Sequence, residues 1–330
     1  MKLLNSIQSQ SVCRWMFVLA TLVLPQIVQA QWHASVGAQN SSMSRQVLAF
    51  LPNEMWIHAG DSITWTVFSD EIHTVSFLVS GQTRLPFQVG CPGFTPNDSS
   101  FDGTHCVSTG QLVSGQTYTV VFPTAGNFKL VCLVHQDMTG TIHVLDASQP
   151  LPHDQDFYDD EAATERTALL SDFDQRVKNH SQDRDQMDPK MVMAGAGEIA
   201  ATPGGSESVA VMRFMQPNKV VRVGATVEWD NPDPSTPHTI TFGIEPANPM
   251  PPSSNVTLDA DGARHATINS LSDSVHSGFI VAAPQDRIGL PQSPLPVTRF
   301  RVTFTAAGVF PYKCALHDNL GMTGQVTVRP

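Results

Sequence analysis

The chain contains two copies of a residue set that can hold a redox-active metal. Each copy has a cysteine, a histidine three residues later, a methionine shortly after it, and a second histidine far upstream. The two sets are His73, Cys132, His135 and Met138, and His238, Cys314, His317 and Met322. A thiolate, two imidazoles and a weak thioether are typical of type 1 copper sites, because thiolate sulfur suits Cu(I) and imidazole suits both oxidation states. The sequence therefore predicts two copper sites.

Other interpretations of these residues explain less of the pattern. A cysteine and a histidine three apart would also suit zinc, but zinc needs further Cys or His at ligand spacing, which the sequence lacks here. Met138 and Met322 would be ordinary core residues if each did not follow its histidine closely and lead into Thr-Gly. The remaining alternative is a pair of β-sandwiches with one buried free cysteine each.

The elements that must position these residues also occur twice. Residues 55–65 match 219–229, and residues 122–128 match 304–310, in the same order along the chain. Both copies consist of short segments rich in β-branched and aromatic residues, separated by turn clusters, without strand–helix alternation. An ordered internal repeat of this kind predicts tandem all-β domains of one fold, each an antiparallel sandwich.

Composition changes along the chain predict four segments. These are a signal peptide (1–30), a first domain (31–147), an acidic linker (148–190) and a second domain (191–330). Within the linker, residues 161–178 predict a helix, because Leu169, Phe173 and Val177 recur at helical spacing between charged positions. The sequence does not decide whether this helix packs on a domain or crosses solvent.

The N-terminal segment predicts export. Lys2 and Arg14 precede an apolar stretch at 15–24, and residues 28–30 form a small-residue cleavage pattern. An uncleaved anchor is the alternative. Because no later run of about twenty apolar residues follows, the mature chain is predicted to be periplasmic or secreted, without a membrane span.

The two other cysteines of the mature chain agree with an oxidising compartment. Cys91 and Cys106 close a loop rich in Gly, Pro, Asn and Ser, which predicts a disulfide. The alternative, a third metal site that includes His105, lacks further ligands nearby. The net charge of −11, without a basic stripe, disfavours a nucleic-acid partner.

Both halves resemble cupredoxins, the blue copper proteins that include plastocyanin, amicyanin and pseudoazurin. The loop from Cys314 to Met322, preceded by Gly308-Val-Phe-Pro-Tyr-Lys, resembles that of plastocyanin, and the loop from Cys132 to Met138 is two residues shorter and resembles that of amicyanin. The resemblance implies two tandem Greek-key β-sandwich domains with one type 1 copper each. It also implies one-electron exchange with redox partner proteins through exposed edges of His135 or His317.

Two features depart from the family pattern. Ile72 replaces the proline that often precedes the first ligand, whereas Pro237 is present in the second copy. Both copies also carry insertions before the cysteine, at 84–111 and 245–296. These insertions either cover the copper or form a docking surface, so the geometry of partner binding cannot be transferred from the family. The differing loop lengths favour unequal reduction potentials.

The enzyme classes of this family each require ligands that are missing. No His-x-His pair exists for a trinuclear cluster, Val131 and Lys313 stand where copper nitrite reductases have a histidine, and each loop has one cysteine where a binuclear centre needs two. The sequence therefore favours an electron-transfer protein rather than an enzyme. The alternatives are an envelope protein that binds and delivers copper, and an oxidase or reductase with an additional copper. Oligomeric state is not predicted.

Overall fold

A computed structural model describes residues 29–84, 91, 99–182, 188–282 and 297–330, with side chains throughout except at 172–182. The predicted signal peptide lies outside the described residues apart from Gln29 and Ala30. No helix in the described ranges is long and apolar enough to span a membrane.

The first half of the chain forms ten short strands and a helix. The strands are β1 (Gln31–Gln39), β2 (Arg45–Leu51), β3 (Glu54–His58), β4 (Ser62–Val67), β5 (Ser76–Phe77), β6 (Ser99–Ser100), β7 (Val107–Ser108), β8 (Thr117–Val121), β9 (Gly126–Val131) and β10 (Thr139–Leu145). The helix is α1 (Gln155–Gln182).

In its described residues, the second half repeats this order with one additional strand. Its strands are β11 (Met191–Ala201), β12 (Ser206–Met215), β13 (Asn218–Arg222), β14 (Thr226–Asp230), β15 (Thr241–Phe242), β16 (Thr257–Leu258), β17 (Arg264–Ile268), β18 (Val275–His276), β19 (Arg299–Phe304), β20 (Gly308–Lys313) and β21 (Thr323–Arg329). The protein is therefore a tandem of two all-β Greek-key sandwiches, as predicted.

Each half packs two sheets around its own apolar core. In β4, Ile63, Trp65 and Val67 are fully buried and alternate with half-buried polar residues, because successive side chains of a strand point to opposite faces. Trp229 on β14 holds the corresponding place in the second core. Burying side chains of this size stabilises each half by about 1.5–3 kcal/mol per residue.

The prediction of an antiparallel sandwich holds for most strand pairs but not for all. β1 pairs with β4, and β3 with β10, in parallel. The second half repeats this, with β11 parallel to β14 and β13 parallel to β21. The reason is that the chain leaves the sheet of β1 and β2 after β2, forms β3 in the facing sheet, and returns to the first sheet at β4. A strand that returns to its sheet in this way can lie parallel to the strand beside it.

The two halves join edge to edge through backbone hydrogen bonds. β2 pairs antiparallel with β12, from Leu48 opposite Ser208 to Arg45 opposite Val211. The Arg213 guanidinium then reaches the Ser42 carbonyl at 2.8 Å. This pairing turns two sandwich sheets into one continuous sheet and fixes the orientation of the halves.

The linker helix packs against this continuous sheet. α1 begins six residues before the predicted start, where the Asp154 carboxylate accepts the Phe157 N–H at 3.0 Å as an N-cap. Tyr158 is fully buried, and its hydroxyl accepts the Trp56 N–H at 2.8 Å. Further along, Ala162 and Leu169 pack on apolar residues of β2 and β12. The helix therefore covers the junction of the halves instead of crossing solvent.

The half-buried Glu165 of α1 predicts a pH-dependent stability. Burial, with the charges of Glu207 and Glu161, raises its pKa to about 8. The folded state therefore keeps a proton that the unfolded state releases above pH ~4.5. The free energy of unfolding thus falls as the pH rises from about 5 to about 8, by up to ~1.4 kcal/mol per pH unit.

We expect Glu165→Gln to flatten this pH dependence in urea unfolding and to stabilise the protein at pH ~8. An unchanged slope in Glu165→Gln would contradict the prediction.

The predicted disulfide between Cys91 and Cys106 is present, with the two Cα atoms 5.6 Å apart. Cys132 and Cys314 are free thiols and are buried. The cysteines therefore divide as predicted between one cross-link and the two candidate metal sites.

Candidate metal centres

In each half, the loop between the last two strands of the sandwich presents three of the predicted ligands. Cys132 follows β9 directly and Met138 directly precedes β10, and the Cys132 N–H donates to the Met138 carbonyl at 3.0 Å. The loop of the second half closes in the same way, with the Cys314 N–H donating to the Met322 carbonyl at 3.0 Å. This bond holds the two ends of each loop together.

The structure brings the first predicted ligands together at one end of the first sandwich. The donor atoms of His73, Cys132 and His135 lie within 4.8 Å of one another, and Cys132 Sγ is 3.8 Å from His135 Nδ1. Met138 is fully buried at the end of the same loop. The buried Nδ1 atom of His73 has no hydrogen-bond partner, as expected for an atom that binds a metal.

The second set of ligands is arranged in the same way. Cys314 Sγ lies 3.4 Å from His317 Nδ1 and 4.0 Å from His238 Nδ1, and the two Nδ1 atoms are 3.2 Å apart. Met322 is fully buried. Two nitrogens and one sulfur that converge without a carboxylate fit copper better than they fit a hard, oxygen-preferring cation.

The protein stabilises the thiolate that such a metal requires. Burial alone would raise the pKa of Cys132, but the hydrogen bond and positive charge of His135 hold it well below its usual range. Burial would lower the pKa of His135, but contacts with the thiolate and with the Glu71 carboxylate together raise it to about 9. The thiolate is the metal-binding form of cysteine, and a metal entering the site would replace the imidazole proton.

A threonine after each upstream histidine organises the ligand loop. The backbone N–H of Thr74 donates to Cys132 Sγ at 3.4 Å, and that of Thr239 to Cys314 Sγ at 3.3 Å. Each threonine hydroxyl accepts the N–H of the residue after the cysteine, at 2.7 Å in both halves. The sequence analysis missed this role, although His-Thr recurs in both copies.

Two glycines that the sequence analysis also missed form the wall behind the upstream histidines. Gly37 and Gly195 occupy β-bulges in β1 and β11, with φ of +67° and +81°. A Cβ at Gly37 would lie 2.6 Å from His73 Nε2, and one at Gly195 would lie 2.1 Å from His238 Nε2. Only glycine fits, because both the backbone angle and the contact exclude a side chain. An isolated glycine within a strand-like segment is the signal that could have found them.

The outer nitrogen of the upstream histidine has a different partner in each half. His73 Nε2 lies 2.9 Å from the Ser69 hydroxyl, whereas His238 Nε2 lies 3.4 Å from the Asp233 carboxylate. All four side chains are fully buried. The carboxylate helps to raise the pKa of His238 to about 9 against the opposing effect of burial, whereas burial lowers the pKa of His73. The second site therefore has the more electron-donating imidazole.

The two histidines of the ligand loops are buried where the halves meet. His135 is 1% exposed and His317 is 2% exposed. The expectation that a partner protein contacts exposed edges of these histidines is therefore wrong for this arrangement. The physical reason is that each half covers the ligand-loop end of the other, leaving between them a cavity of about 510 Å³.

The insertions contribute to this cover. The Arg84 guanidinium, at the start of the first insertion, donates to the carbonyls of His135, at 2.6 Å, and Gln136. Pro249 and Met250 of the second insertion border the cavity. Of the two roles expected for the insertions, covering the candidate metal sites is the one that their described residues fit.

Comparison with known proteins found one family match. Residues 36–145 match the family model of copper binding proteins, plastocyanin/azurin family. This segment includes His73, Cys132, His135 and Met138. No curated protein matches the chain. The second half carries corresponding elements, with the same Cys-to-His spacing and a ligand loop two residues longer.

Solved cupredoxin structures are among the similar folds. Plastocyanin from Dryopteris crassirhizoma is 17% identical over 42% of this chain and 99% of its own, with a TM-score of 0.22. A purple cupredoxin from Nitrosopumilus maritimus is 23% identical over 42% and 98%, with a TM-score of 0.20. A reduced amicyanin mutant is 17% identical over 35% and 82%, with a TM-score of 0.24.

Proposed function

We propose that this protein transfers electrons by means of two type 1 copper ions, one in each half. The ligands would be His73, Cys132, His135 and Met138 in the first half, and His238, Cys314, His317 and Met322 in the second. The observation that carries the proposal is the double convergence of one cysteine sulfur and two imidazoles within 4.8 Å, in buried sites. Copper bound there would supply one-electron cycling between Cu(I) and Cu(II).

The chain's own residues are suited to keeping such a site rigid. The hydrogen bonds of Thr74 and Thr239 fix the position of the sulfur, the closed loops fix the methionines, and the glycine bulges fix the upstream histidines. Burial of all the ligands excludes water. A ligand set that moves little between oxidation states keeps the reorganisation accompanying electron transfer small.

Reversible redox titration of the copper-loaded protein tests the proposed function. We expect two one-electron steps per chain, with the visible absorption lost on reduction and regained on reoxidation. Copper that binds but does not cycle would contradict it and would favour the alternative of a copper-delivery protein. That alternative is less well supported by the structure, because delivery requires an acceptor to reach the ligands, and these are at most 2% exposed.

The different partners of the upstream histidines predict unequal potentials. A carboxylate beside an imidazole ligand stabilises Cu(II), so we expect the second site to have the lower potential. Asp233→Asn keeps the side-chain oxygen that accepts the Ser235 and Thr236 N–H groups, at 2.9 and 3.1 Å, but removes the charge. It should raise the reduction potential of the second site by about 59 mV for each tenfold decrease in the affinity for Cu(II) relative to Cu(I).

Ser69→Ala is the control for this prediction in the first half. It removes the hydroxyl beside His73 without a change of charge and should move only the first potential, and by less. One common midpoint for both sites in the wild type, or an Asp233→Asn variant with unchanged potentials, would contradict the prediction.

We also propose that the mature protein is exported, to the periplasm or outside the cell, after cleavage near Ala30. The Cys91–Cys106 disulfide supports an oxidising compartment. N-terminal sequencing of the protein from its native host tests this proposal; a mature chain that retains residues 1–30 would contradict it.

A further inference from the structure

One carboxylate lies between the ligand loops of the two halves. Glu71 Oε1 is 3.5 Å from His135 Nε2, and Glu71 Oε2 is 3.5 Å from His317 Nε2. The two histidines belong to different halves of the chain, and in each the opposite ring nitrogen, Nδ1, faces the cysteine sulfur. Glu71 therefore contacts the outer nitrogen of one predicted copper ligand in each half.

This arrangement is costly to build and is not repeated. Glu71 is 6% exposed, and a carboxylate removed from water destabilises the fold unless other groups compensate for the lost hydration. The groups that face it here are the two imidazoles. In the second half, the residue two places before the upstream histidine is Thr236, whereas in the first half it is Glu71. A single acidic side chain thus serves both halves.

The surroundings of Glu71 are predominantly apolar. The cavity next to it is lined by apolar side chains from both halves, including Ile72, Val134, Leu316 and Phe279. Electrostatic interactions are stronger in such surroundings than in water. The face through which an external partner would contact His135 or His317 is occupied by the other half of the same chain, so each predicted centre has the other as its neighbour.

We propose that Glu71 couples the two centres, so that electrons pass between the halves along His135, Glu71 and His317. This inference rests on the proposed function. The transfer is balanced within the chain: one centre is oxidised by one electron as the other is reduced, and no covalent bond or proton changes place. Glu71 acts as a positioning residue that orients both imidazoles and places one negative charge near both centres.

A redox titration of Glu71→Gln tests this coupling. The amide keeps the shape of the side chain and removes the charge that favours Cu(II) at both centres. We expect both potentials to rise, each by about 59 mV for every tenfold loss of Cu(II) preference. Asp70→Asn is the matched control, because it removes the same charge at the neighbouring position. The Asp70 carboxylate accepts a hydrogen bond from Gln39 at 2.9 Å. The control should produce much smaller shifts.

The coupling is contradicted if Glu71→Gln moves only the potential of the first half, or neither potential. A lower melting temperature with both potentials unchanged would show that Glu71 serves the fold alone. The shift at the second centre is the decisive readout, because Glu71 belongs to the first half and a local change there would not reach the second.

Rapid reduction of the wild-type protein with less than one equivalent of a photogenerated reductant gives a second test, which does not depend on the potentials of the Glu71→Gln variant. Freeze-quenched electron paramagnetic resonance should show the electron redistributing between centres at a rate independent of protein concentration. Cys314→Ser should lack this phase, and Glu71→Ala should slow it at least tenfold. A rate that scales with protein concentration would overturn the coupling. Absence of cupric thiolate signals in the wild type would instead overturn the proposed function.

Discussion

Cys132→Ser and Cys314→Ser are each expected to remove one copper centre and to leave the other in place. Each cysteine provides the sulfur of one cluster, and the clusters share no ligand. Serine keeps the approximate size of the side chain but replaces the thiolate with a poor ligand for Cu(I). Each variant should therefore lose one copper per chain and about half of the intense visible absorption.

Metal analysis and absorption spectroscopy of both single variants and the double variant check this result. The double variant should be colourless, and the two single-variant spectra should add up to the wild-type spectrum. If both bands survive either substitution, the assignment of the ligands is wrong. If one substitution removes both, the two cysteines serve a single site.

Gly195→Ala is expected to abolish copper binding in the second half selectively. The added methyl group would lie 2.1 Å from His238 Nε2, on a backbone with φ of +81°. Either the histidine or the bulge must move, and a ligand displaced from its position cannot complete the site. Gly37→Ala should act in the same way on the first half, where the added carbon would lie 2.3 Å from the Ser69 hydroxyl and 2.6 Å from His73 Nε2.

The control for these substitutions is Gly224→Ala. Gly224 has a similar φ of +85°, but a Cβ there would meet nothing within 4 Å. It should lower stability by about 1 kcal/mol through backbone strain and leave both copper centres intact. Copper counting and the visible spectrum separate the outcomes. Full copper occupancy in Gly195→Ala would show that the bulge tolerates a side chain and does not position His238.

The candidate ligands could be recognised in the sequence because the relevant information is local or repeated. Cys132, His135 and Met138 lie within seven residues, and Cys314, His317 and Met322 recur in the same order in a loop two residues longer. The upstream histidines could be predicted because the segments around them repeat in the same order. The disulfide could be predicted because Cys91 and Cys106 are the two cysteines of the predicted mature chain that are not candidate ligands.

The features that the sequence did not predict depend on contacts between distant segments. The parallel pairing of β1 with β4 follows from chain crossings between two sheets. The burial of His135 and His317 follows from the pairing of β2 with β12, which nothing in either strand's composition indicates. In the sequence, nothing distinguishes Glu71 from other acidic residues. Only the fold places His317 of the second half beside it.

Copper loading of the purified protein tests the central claim most directly. The metal-free protein would be titrated with copper and followed by metal analysis, visible absorption and electron paramagnetic resonance. The proposed function predicts two coppers per chain, each with intense thiolate-to-copper absorption and a type 1 signal. A colourless protein, or one that binds copper with an ordinary signal only, would contradict it.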